Sequence, residues 1–449
     1  MTPIARRIES FVGRVFTPDD DGYEQARSVW NGTIDTSPAI IARCSSTEDV
    51  VRAINYAVDR HLEVSIRGGG HNVAGTSLVE GGLVIDLSEM RGVDVDPQRR
   101  IARVKGGATL GDLDEATFEY SLITPTGFIS ETGIGGLSLK GGLGHTMRRF
   151  GLTCDNIVGA ELVTADGTIR RITEDEPELL WALRGGPLQL GVVTEFEFRL
   201  HPIDSEVRLV LSVFPAEEGT ELNRLMAELM DTAPRELGLV SFYATFPDEG
   251  DVPPAVRGCE AIVLFGMYSG DRGGADQTLE PLVDHPDLLA DLGGWMSYPE
   301  AQSALDEEYP DGMRYYWKSL YLDRLEDEVI QILDRYGRNR PSVQTTLDLW
   351  NMGGAIQDMS LESSAFAERD ARYMVAIEAN WTDPADDQKC IQWAREVFDQ
   401  LQPHAMGGIY MNFPGTRSER DRAIEQLEAS HLKRLRAVQQ RLDPQGLFA

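Results

Sequence analysis

The chain is poor in positive charge. Lysine and arginine together number 42 against 73 aspartates and glutamates, which gives a formal net charge of −31 over 449 residues. Only five of the basic residues are lysines. A surface of this charge repels phosphate backbones and anionic lipid, so neither a nucleic-acid partner nor a membrane partner is expected.

Cysteines and long apolar runs are also scarce. The four cysteines (Cys44, Cys154, Cys259 and Cys390) lie far apart and form no C-x-x-C pair. We therefore expect neither a disulfide framework nor a zinc site, and no other metal. No stretch reaches about 18 uninterrupted apolar residues, the length that spans a membrane. Residues 1–16 lack the apolar core of a signal peptide, and we expect a cytoplasmic protein.

Glycine, in contrast, is abundant, and its first cluster lies beside a histidine. Gly68, Gly69 and Gly70 follow an apolar run that predicts a strand, and they precede His71 and Asn72. Three glycines in a row leave backbone amides open to an anion. The segment is either a glycine-rich turn whose histidine makes ordinary hydrogen bonds, or a loop that holds a phosphate group.

A second glycine tract covers residues 126–144 and reads TGFISETGIGGLSLKGGLG. Such a tract costs backbone entropy unless a ligand fills the space, and a pyrophosphate held by amides would explain both tracts. The Rossmann fingerprint fails, because neither Gly133-x-Gly135 nor Gly142-x-Gly144 is followed by a third glycine at the required spacing. A P-loop fails as well, since no Gly-Lys-Ser/Thr follows. The sequence predicts a dinucleotide site of another kind.

Two sequence patterns, one in each half of the chain, indicate an α+β fold. Up to about Pro202, short β runs alternate with glycine-rich turns, and one amphipathic helix is predicted over Thr47–Arg60 with Ser46 as its cap. Beyond Ile203, strands alternate with acidic helices, as in an antiparallel sheet covered by helices. The main predicted strands are Val64–Ile66, Leu83–Asp86, Ile101–Val104, Ile157–Thr164, Val192–Leu200, Val207–Phe214, Leu239–Phe246, Ala261–Tyr268, Gln344–Trp350 and Tyr373–Trp381, and the later helices are Glu217–Thr232, Leu322–Tyr336, Asp386–Leu401 and Ser418–Asp443.

Six motifs in order resemble those of FAD-linked oxidases with a PCMH-type FAD-binding domain, the berberine-bridge-enzyme-like family. They are Arg67–Asn72, Thr132–Gly136, Gly151–Asn156, Leu183–Gly186, Gly191–Thr194 and Tyr410–Asn412. The resemblance implies a two-subdomain FAD-binding domain over residues 1–204 (core about 35–203). It also implies a substrate-binding domain over residues 205–404 and a C-terminal segment over residues 405–449 that returns to the first domain.

The resemblance also implies how FAD is held. His71 matches the histidine that bonds to the flavin 8α-methyl group and raises the potential of the cofactor. Many relatives add a cysteinyl bond from a position that is Ile129 here, so we predict one covalent link and no second one. Pro187–Leu190 replaces a glycine-rich stretch, which puts the contacts of that loop in doubt. The other expected cofactor-binding residues are Arg67, Gly68, Gly69, Gly70, Asn72, Thr132, Gly133, Gly135, Gly136, Gly144, Asn156, Ile157, Val158, Gly191, Val192, Val193, Tyr410 and Asn412.

Candidate catalytic residues follow from the same resemblance. Tyr410 matches a tyrosine near the flavin, and Asn412 would face the same way in an extended strand. As a base, a phenol needs its pKa of about 10 lowered by a cation, for which Lys318 is a candidate. A buried structural tyrosine is the alternative. Thr132 stands where relatives carry Val or Leu beside flavin N5, and a residue of this size would leave room for oxygen.

Strand alternation adds further candidates. Relatives with a carboxylate base carry it at the position of Ala376, and Glu378, one pleat away, could replace it. The candidate substrate-binding residues are Tyr243, Asp348, Trp350 and Asn380. An exposed sheet face is the alternative for each of them.

The favoured function is that of an FAD-dependent oxidase. It would remove a hydride from an alcohol, a sugar or a secondary metabolite, with O₂ as the electron acceptor. The alternative is a flavin-binding protein with a dehydrogenase or non-redox role that does not use O₂. Reduction of the bound flavin by a substrate, with hydrogen peroxide formed in air, separates the two. Neither the motifs nor the composition sets the oligomeric state.

Overall fold

A small, mostly parallel sheet, sheet 1, lies near the N-terminus. The computed structural model describes residues 8–250 and 252–448. The strands of sheet 1 lie in the order Arg14–Phe16, Ile40–Arg43, Leu83–Asp86 and Val64–Arg67, and the last three are parallel. Parallel strands need a crossover connection, and the helix Thr47–Arg60 connects Ile40–Arg43 to Val64–Arg67, with Leu83–Asp86 lying between these two strands. The helix follows Ser46, whose hydroxyl accepts a hydrogen bond from Asp49 N. The predicted helix and its cap are confirmed.

Sheet 2 follows sheet 1 along the chain and is antiparallel throughout. Its strands lie in the order Val93–Asp96, Ile101–Lys105, Val192–Arg199, Ile157–Val163 and Ile169–Ile172. The central strand buries Phe196 and Phe198 on one face, whereas Glu195 and Glu197 on the other form ion pairs with arginines. This alternation gives sheet 2 one apolar face. A short ladder joins His201–Pro202 to Leu122–Ile123.

Sheet 3 is the largest sheet and is built from the second half of the chain. Its strand order is Ala290–Asp291, Val207–Pro215, Glu260–Tyr268, Leu237–Thr245, Thr346–Asn351, Tyr373–Trp381 and Arg314–Leu322, and Gly294–Met296 also pairs with Val207–Pro215. The helices Gly219–Thr232, Asp327–Gly337 and Asp387–Leu401 cover one face. Residues of the opposite face, such as Trp350 and Met374, share an apolar core with Phe196 of sheet 2.

The remaining helices connect these layers. They are Tyr23–Arg27, Leu110–Phe118, Ile134–Leu139, Met147–Phe150, Pro177–Leu183, Arg272–Val283, Tyr298–Gln302, Ala355–Asp358, Arg417–Glu425 and Ala429–Leu442, with 3₁₀ turns at Thr153–Asn156, Ala216–Glu218, Asp306–Glu308, Pro384–Asp386 and Gln402–His404. The chain ends against sheet 1, where Val64 N donates a hydrogen bond to Leu447 O at 3.1 Å. In the ranges that the structure describes, no helix is both long and apolar enough to cross a bilayer.

The α+β fold is confirmed, and two predicted helices need correction. The predicted helix Leu322–Tyr336 begins only at Asp327, because Leu322 ends the strand Arg314–Leu322. The predicted helix Ser418–Asp443 is two helices, Arg417–Glu425 and Ala429–Leu442. Glu428 separates them, since its carboxylate accepts hydrogen bonds from Ser430 N and His431 N and so caps the second helix.

Candidate functional site

A cavity of about 520 Å³ lies where the three sheets meet. Sheet 1 contributes Val64 to its wall, sheet 2 contributes Phe196, and sheet 3 contributes Asp348 and Glu378. Both glycine tracts also line it. Residues that are far apart in the sequence therefore surround one continuous space.

The two glycine tracts meet backbone to backbone and form one wall of the cavity. A Cβ added at Gly69 would lie 2.4 Å from Gly133 N, and one at Gly133 would lie 2.2 Å from Gly69 N. Gly70 has a φ of +79°, which strains any side chain. A Cβ at Gly136, in contrast, would meet nothing within 4 Å and would enter the cavity. The wall is bare backbone, as a closely held elongated ligand requires.

His71 lies at the edge of this wall and faces the cavity. Its ring stacks on Trp30 with centroids 5.4 Å apart. Burial lowers the pKa of His71 to about 4, so the imidazole is neutral near neutral pH. A neutral imidazole keeps a nitrogen lone pair that can bond to carbon or to a hydrogen-bond donor. The next residue, Asn72, accepts hydrogen bonds from Ala74 N and Thr76 N, both at 3.2 Å, which hold the loop in place.

The predicted cofactor residues divide into a lining set and a supporting set. Those that line the cavity are Gly68, Gly69, Gly70, His71, Asn72, Thr132, Gly133, Gly135, Gly136, Gly191, Val193, Tyr410 and Asn412. Arg67, Gly144, Asn156, Ile157, Val158 and Val192 do not line it. Arg67 donates to Ala26 O at 2.7 Å, and Asn156 donates to Leu152 O at 3.0 Å. These side chains fix the backbone behind the wall.

Tyr410 is buried at the cavity surface, and its hydroxyl oxygen accepts three hydrogen bonds. The donors are Gly142 N and Leu143 N, each at 3.2 Å, and Asn412 Nδ2 at 2.9 Å. Burial raises the pKa of Tyr410 to about 12, although the three donors oppose this shift. The prediction of an extended strand here is wrong, because Phe413 N donates to Tyr410 O at 2.8 Å and closes a turn. The turn itself brings Asn412 to the tyrosine oxygen.

Lys318 does not face Tyr410, and the prediction that it lowers the tyrosine pKa is wrong. Side chains alternate along Arg314–Leu322, and Lys318 points to the helix-covered face of sheet 3. There its Nζ donates to Glu419 Oε1 at 3.1 Å and lies 4.1 Å from the centroid of the Phe398 ring. Backbone amides occupy the place next to Tyr410 that the prediction gave to a cation.

Asp348 and Glu378 are brought together on the cavity face of sheet 3. Asp348 pairs in register with Ala376, and Glu378 lies one pleat further along the same strand. Both carboxyl groups are buried. Tyr309 Oη donates to Glu378 Oε2 at 2.9 Å. Burial raises the pKa of both carboxyl groups, and the charge of Asp348 raises the pKa of Glu378 further.

Of the other predicted substrate residues, two line the cavity and one does not. Trp350 and Asn380 line it. Asn380 Oδ1 accepts a hydrogen bond from Trp317 Nε1 at 2.6 Å, so this amide is already engaged. The prediction of Tyr243 as a substrate-binding residue is wrong, because its ring packs against the helices and its hydroxyl donates to Asp334 Oδ1 at 3.2 Å. Its neighbour Phe242, which pairs with Asp348, faces the cavity instead.

The lining residues that the sequence analysis missed include Tyr309, Lys140 and Arg420. Tyr309 lies in a turn that carries no distinctive signal. Lys140 and Arg420 bring positive charge to the cavity. Burial and, to a smaller extent, the charge of Arg420 together lower the pKa of Lys140 to about 8. A lysine inside a glycine tract, in a chain with so few lysines, was the signal that could have identified Lys140.

The structure also locates the residues at which this chain departs from the family pattern. Ile129 lines the cavity, whereas Cys154 is buried in the apolar core outside the lining. The loop Pro187–Leu190 lines the cavity, and Gln189 Nε2 donates to Gly191 O at 2.7 Å. The loop therefore reaches the site despite its proline.

These features fit a flavin dinucleotide. The bare glycine wall accommodates an elongated cofactor, Lys140 and Arg420 offer countercharge for a diphosphate, and His71 has a free lone pair for attachment. The polar groups of sheet 3 line the same cavity and can contact a substrate. The site is that of a flavin-dependent enzyme.

The comparisons with known proteins agree with this assignment. A family model described as an FAD binding domain matches residues 38–173. The chain is 30% identical to (R)-6-hydroxynicotine oxidase of Paenarthrobacter nicotinovorans over 98% of this chain and 96% of that protein. It is 27% identical to glucooligosaccharide oxidase of Sarocladium strictum over 96% of this chain and 90% of that protein.

Solved structures show the same architecture. The crystal structure of 6-hydroxy-D-nicotine oxidase from Arthrobacter nicotinovorans matches with a TM-score of 0.86 and 26% identity, covering 99% of this chain and 98% of that one. A berberine-bridge-enzyme-like protein of Physcomitrella patens has the same fold, with a TM-score of 0.87 at 22% identity over 98% of this chain and 96% of that one. The chain belongs to the berberine-bridge-enzyme-like family of FAD-linked oxidoreductases with a PCMH-type FAD-binding domain. It is an FAD-dependent oxidoreductase.

Proposed function

We propose that this protein is an oxidase that removes a hydride from an alcohol, a sugar or a secondary metabolite and passes the electrons to O₂. The observation that carries the proposal is the continuous cavity that joins His71 and the glycine wall to Tyr410 and the carboxyl groups of sheet 3. Relatives named as oxidases of 6-hydroxynicotine and of glucooligosaccharides support it. The expected cytoplasmic location rests on the composition alone and stays a prediction.

We propose the same division into domains that the family resemblance implies. Residues 1–204, which include sheets 1 and 2, would bind FAD, and residues 205–404, which include sheet 3, would bind the substrate. Residues 405–449 would complete the FAD domain. The contact of Leu447 O with Val64 N supports this last assignment.

FAD would be held by the glycine wall and by one covalent bond from His71. Ile129 supplies no thiol at the position of the second bond of some relatives, and Cys154 lies outside the cavity lining. Lys140 and Arg420 would offset the diphosphate charge. Thr132 also lines the cavity, where its small side chain would leave space for O₂.

When bound, FAD accepts the hydride of the substrate and passes electrons to O₂. The chain must take the accompanying proton, and we assign this step to the Asp348–Glu378 pair. Burial raises the pKa of both carboxyl groups, and the charge of Asp348 raises the pKa of Glu378 further. The pair would therefore hold one proton beside one carboxylate, and that carboxylate would act as the general base. Tyr410 keeps its proton near neutral pH, because burial raises its pKa to about 12. Its hydroxyl and Asn412 would orient the ligands.

Flavin reduction tests the proposal. The purified holoprotein is mixed without air with alcohols, sugars and amines, and the absorbance of oxidised flavin is followed. A substrate should bleach it, and air should restore it with formation of hydrogen peroxide. Glu378→Gln should lower the reduction rate by about 10²–10⁴-fold. Asp334→Asn, which makes the same charge change on the other face of sheet 3, should leave the rate unchanged.

Two results would contradict the proposal. A flavin that no substrate reduces would argue against redox turnover. A reduced flavin that stays reduced in air would exclude O₂ as the acceptor and favour a dehydrogenase.

A further inference from the structure

The part of the cavity formed by sheet 3 is acidic, and the described part of the chain places no cationic side chain in contact with its carboxyl groups. Asp348 and Glu378 lie on adjacent strands, buried and facing the same space. Among the described residues, no cation contributes to the pKa shift of either carboxyl group. Two buried carboxyl groups without a positive partner are costly to ionise, and a cation entering the site would remove that cost.

Hydrogen-bonding capacity at this place is left unused. Asp348 Oδ1, Thr346 Oγ1 and Trp350 Nε1 are all buried at the cavity wall without a well-aligned hydrogen bond among the described residues, although Thr346 and Trp350 lie close enough to Asp348 to oppose the rise of its pKa. Buried polar atoms of native proteins are nearly always paired, by protein, water or ligand. Three such atoms on alternate residues of one strand are open to well-aligned hydrogen bonds with a ligand.

Aromatic rings surround the carboxyl groups. Trp317 makes edge contacts with Tyr309, with ring centroids 5.7 Å apart, and with Phe413 at 4.8 Å. On the other side, Trp350 meets Phe128 at 4.6 Å. All of these rings line the cavity. Faces of indole and phenol rings attract organic cations, most strongly where water is excluded.

Other substrate charges fit this surface less well. An anion would approach two carboxyl groups, whereas the cationic side chains of the wall, Lys140 and Arg420, belong to the part assigned to the cofactor diphosphate. A neutral sugar would leave the cost of ionising the two carboxyl groups in place, and the amide of Asn380 is already bonded to Trp317 Nε1 and Gln344 O. We infer that the substrate is a small organic cation, a protonated amine on an apolar body, whose ammonium group binds between Asp348 and Glu378. The inference rests on the proposed function and narrows its substrate class.

A charge series on one molecular shape tests the inference. Benzylammonium, benzyl alcohol and benzoate are titrated into the oxidised holoprotein without air near neutral pH, and the shift of the flavin spectrum gives each Kd. Benzylammonium should bind more tightly than benzyl alcohol by about tenfold or more, and benzoate should bind most weakly. Asp348→Asn and Glu378→Gln should each reduce the preference for the cation and leave the Kd of benzyl alcohol nearly unchanged. Asp334→Asn is the matched control and should keep the full preference.

The outcomes separate this inference from the proposed function. Equal affinities for the cation and the alcohol would overturn the inference, and so would a cation preference that survives in both carboxyl variants. Neither result would affect flavin reduction by a neutral substrate, which tests the oxidase itself. Conversely, tight binding of benzylammonium by a protein whose flavin no substrate reduces would keep the cation site and refute the oxidase.

Discussion

His71 is placed by its neighbours in a state that suits attachment. Its ring stacks on Trp30, and Trp30 in turn stacks on Tyr315 with centroids 3.6 Å apart. Burial among these rings removes water, which disfavours the charged imidazolium and lowers the pKa of His71 to about 4. Only a neutral imidazole has the lone pair that a carbon–nitrogen bond needs.

We therefore predict that His71→Ala abolishes the covalent attachment of FAD while the protein still folds. Acid precipitation should leave the yellow colour in the wild-type pellet and move it to the supernatant for the variant. Cys154→Ser is the matched control and should keep a yellow pellet, because Cys154 lies outside the cavity lining. A pellet of His71→Ala that stays yellow would place the bond on another residue.

Motif residues such as His71 and Thr132 line the cavity, whereas strand alternation placed some candidates at the cavity and others away from it. Asp348 and Glu378 share the face that the cavity occupies, as their positions in the strands indicated. Lys318 and Tyr243 lie on the face covered by helices. Alternation tells which residues share a face, but a shift of one residue reverses the side. The sequence does not state which face the helices cover.

At the scale of elements, the glycine tracts act through contact between two loops. Gly69 and Gly133 touch through their backbones, whereas Gly136, in the helix Ile134–Leu139, opens to the cavity. The same motif thus contains a glycine needed for packing and a glycine needed for the ligand. Alanine in place of each should give different defects.

We predict that Gly136→Ala folds normally but retains less FAD, because its Cβ would occupy cavity space that has no protein atom within 4 Å. Alanine in a helix is favoured over glycine by about 1 kcal/mol, so the apoprotein should be at least as stable as the wild type. Gly133→Ala should instead lower the stability of the apoprotein itself. Flavin content and thermal midpoints of both variants are the measurements. An unchanged flavin content for Gly136→Ala would show that the cofactor does not approach this helix.

Elements were predictable where periodicity was strong and ends were capped. Thr47–Arg60 and Tyr373–Trp381 have the predicted bounds. The strand Arg314–Leu322 was missed, because it is buried on both faces and therefore shows no polar alternation. The break between the last two helices was missed because the apolar stripe continues across it, from Ile424 to Leu432.

At the scale of the whole molecule, the site exists only because the two halves of the chain pack together. Tyr410 reaches Gly142, and the helix Leu110–Phe118 packs against Tyr298–Gln302. Such long-range packing cannot be read from local sequence patterns. The joint between the halves contains a buried acid, Asp114, which receives hydrogen bonds from Thr126 Oγ1 at 3.1 Å and Gln302 Nε2 at 3.3 Å.

The acid in this joint makes the stability of the molecule depend on pH. Burial raises the pKa of Asp114 to about 8, against about 4 in an unfolded chain. The folded state thus holds the proton more tightly, so the stabilisation is complete below about pH 4 and is lost as the pH rises through about 8. Between these limits, the contribution of Asp114 to the free energy of unfolding falls by about 1.4 kcal/mol per pH unit.

We predict that Asp114→Asn removes this dependence, because asparagine stays neutral in both states and keeps nearly the same shape. Relative to the wild type, the variant should gain thermal stability between about pH 5 and about pH 8. The difference between the thermal midpoints of the two holoproteins is measured at both pH values. Glu217→Gln, the same charge change at an exposed position, controls for net charge. If the difference between the two thermal midpoints is equal at both pH values, or becomes smaller as the pH rises, Asp114 is ionised in the folded protein. The stability of the joint between the halves would then not depend on protonation of Asp114.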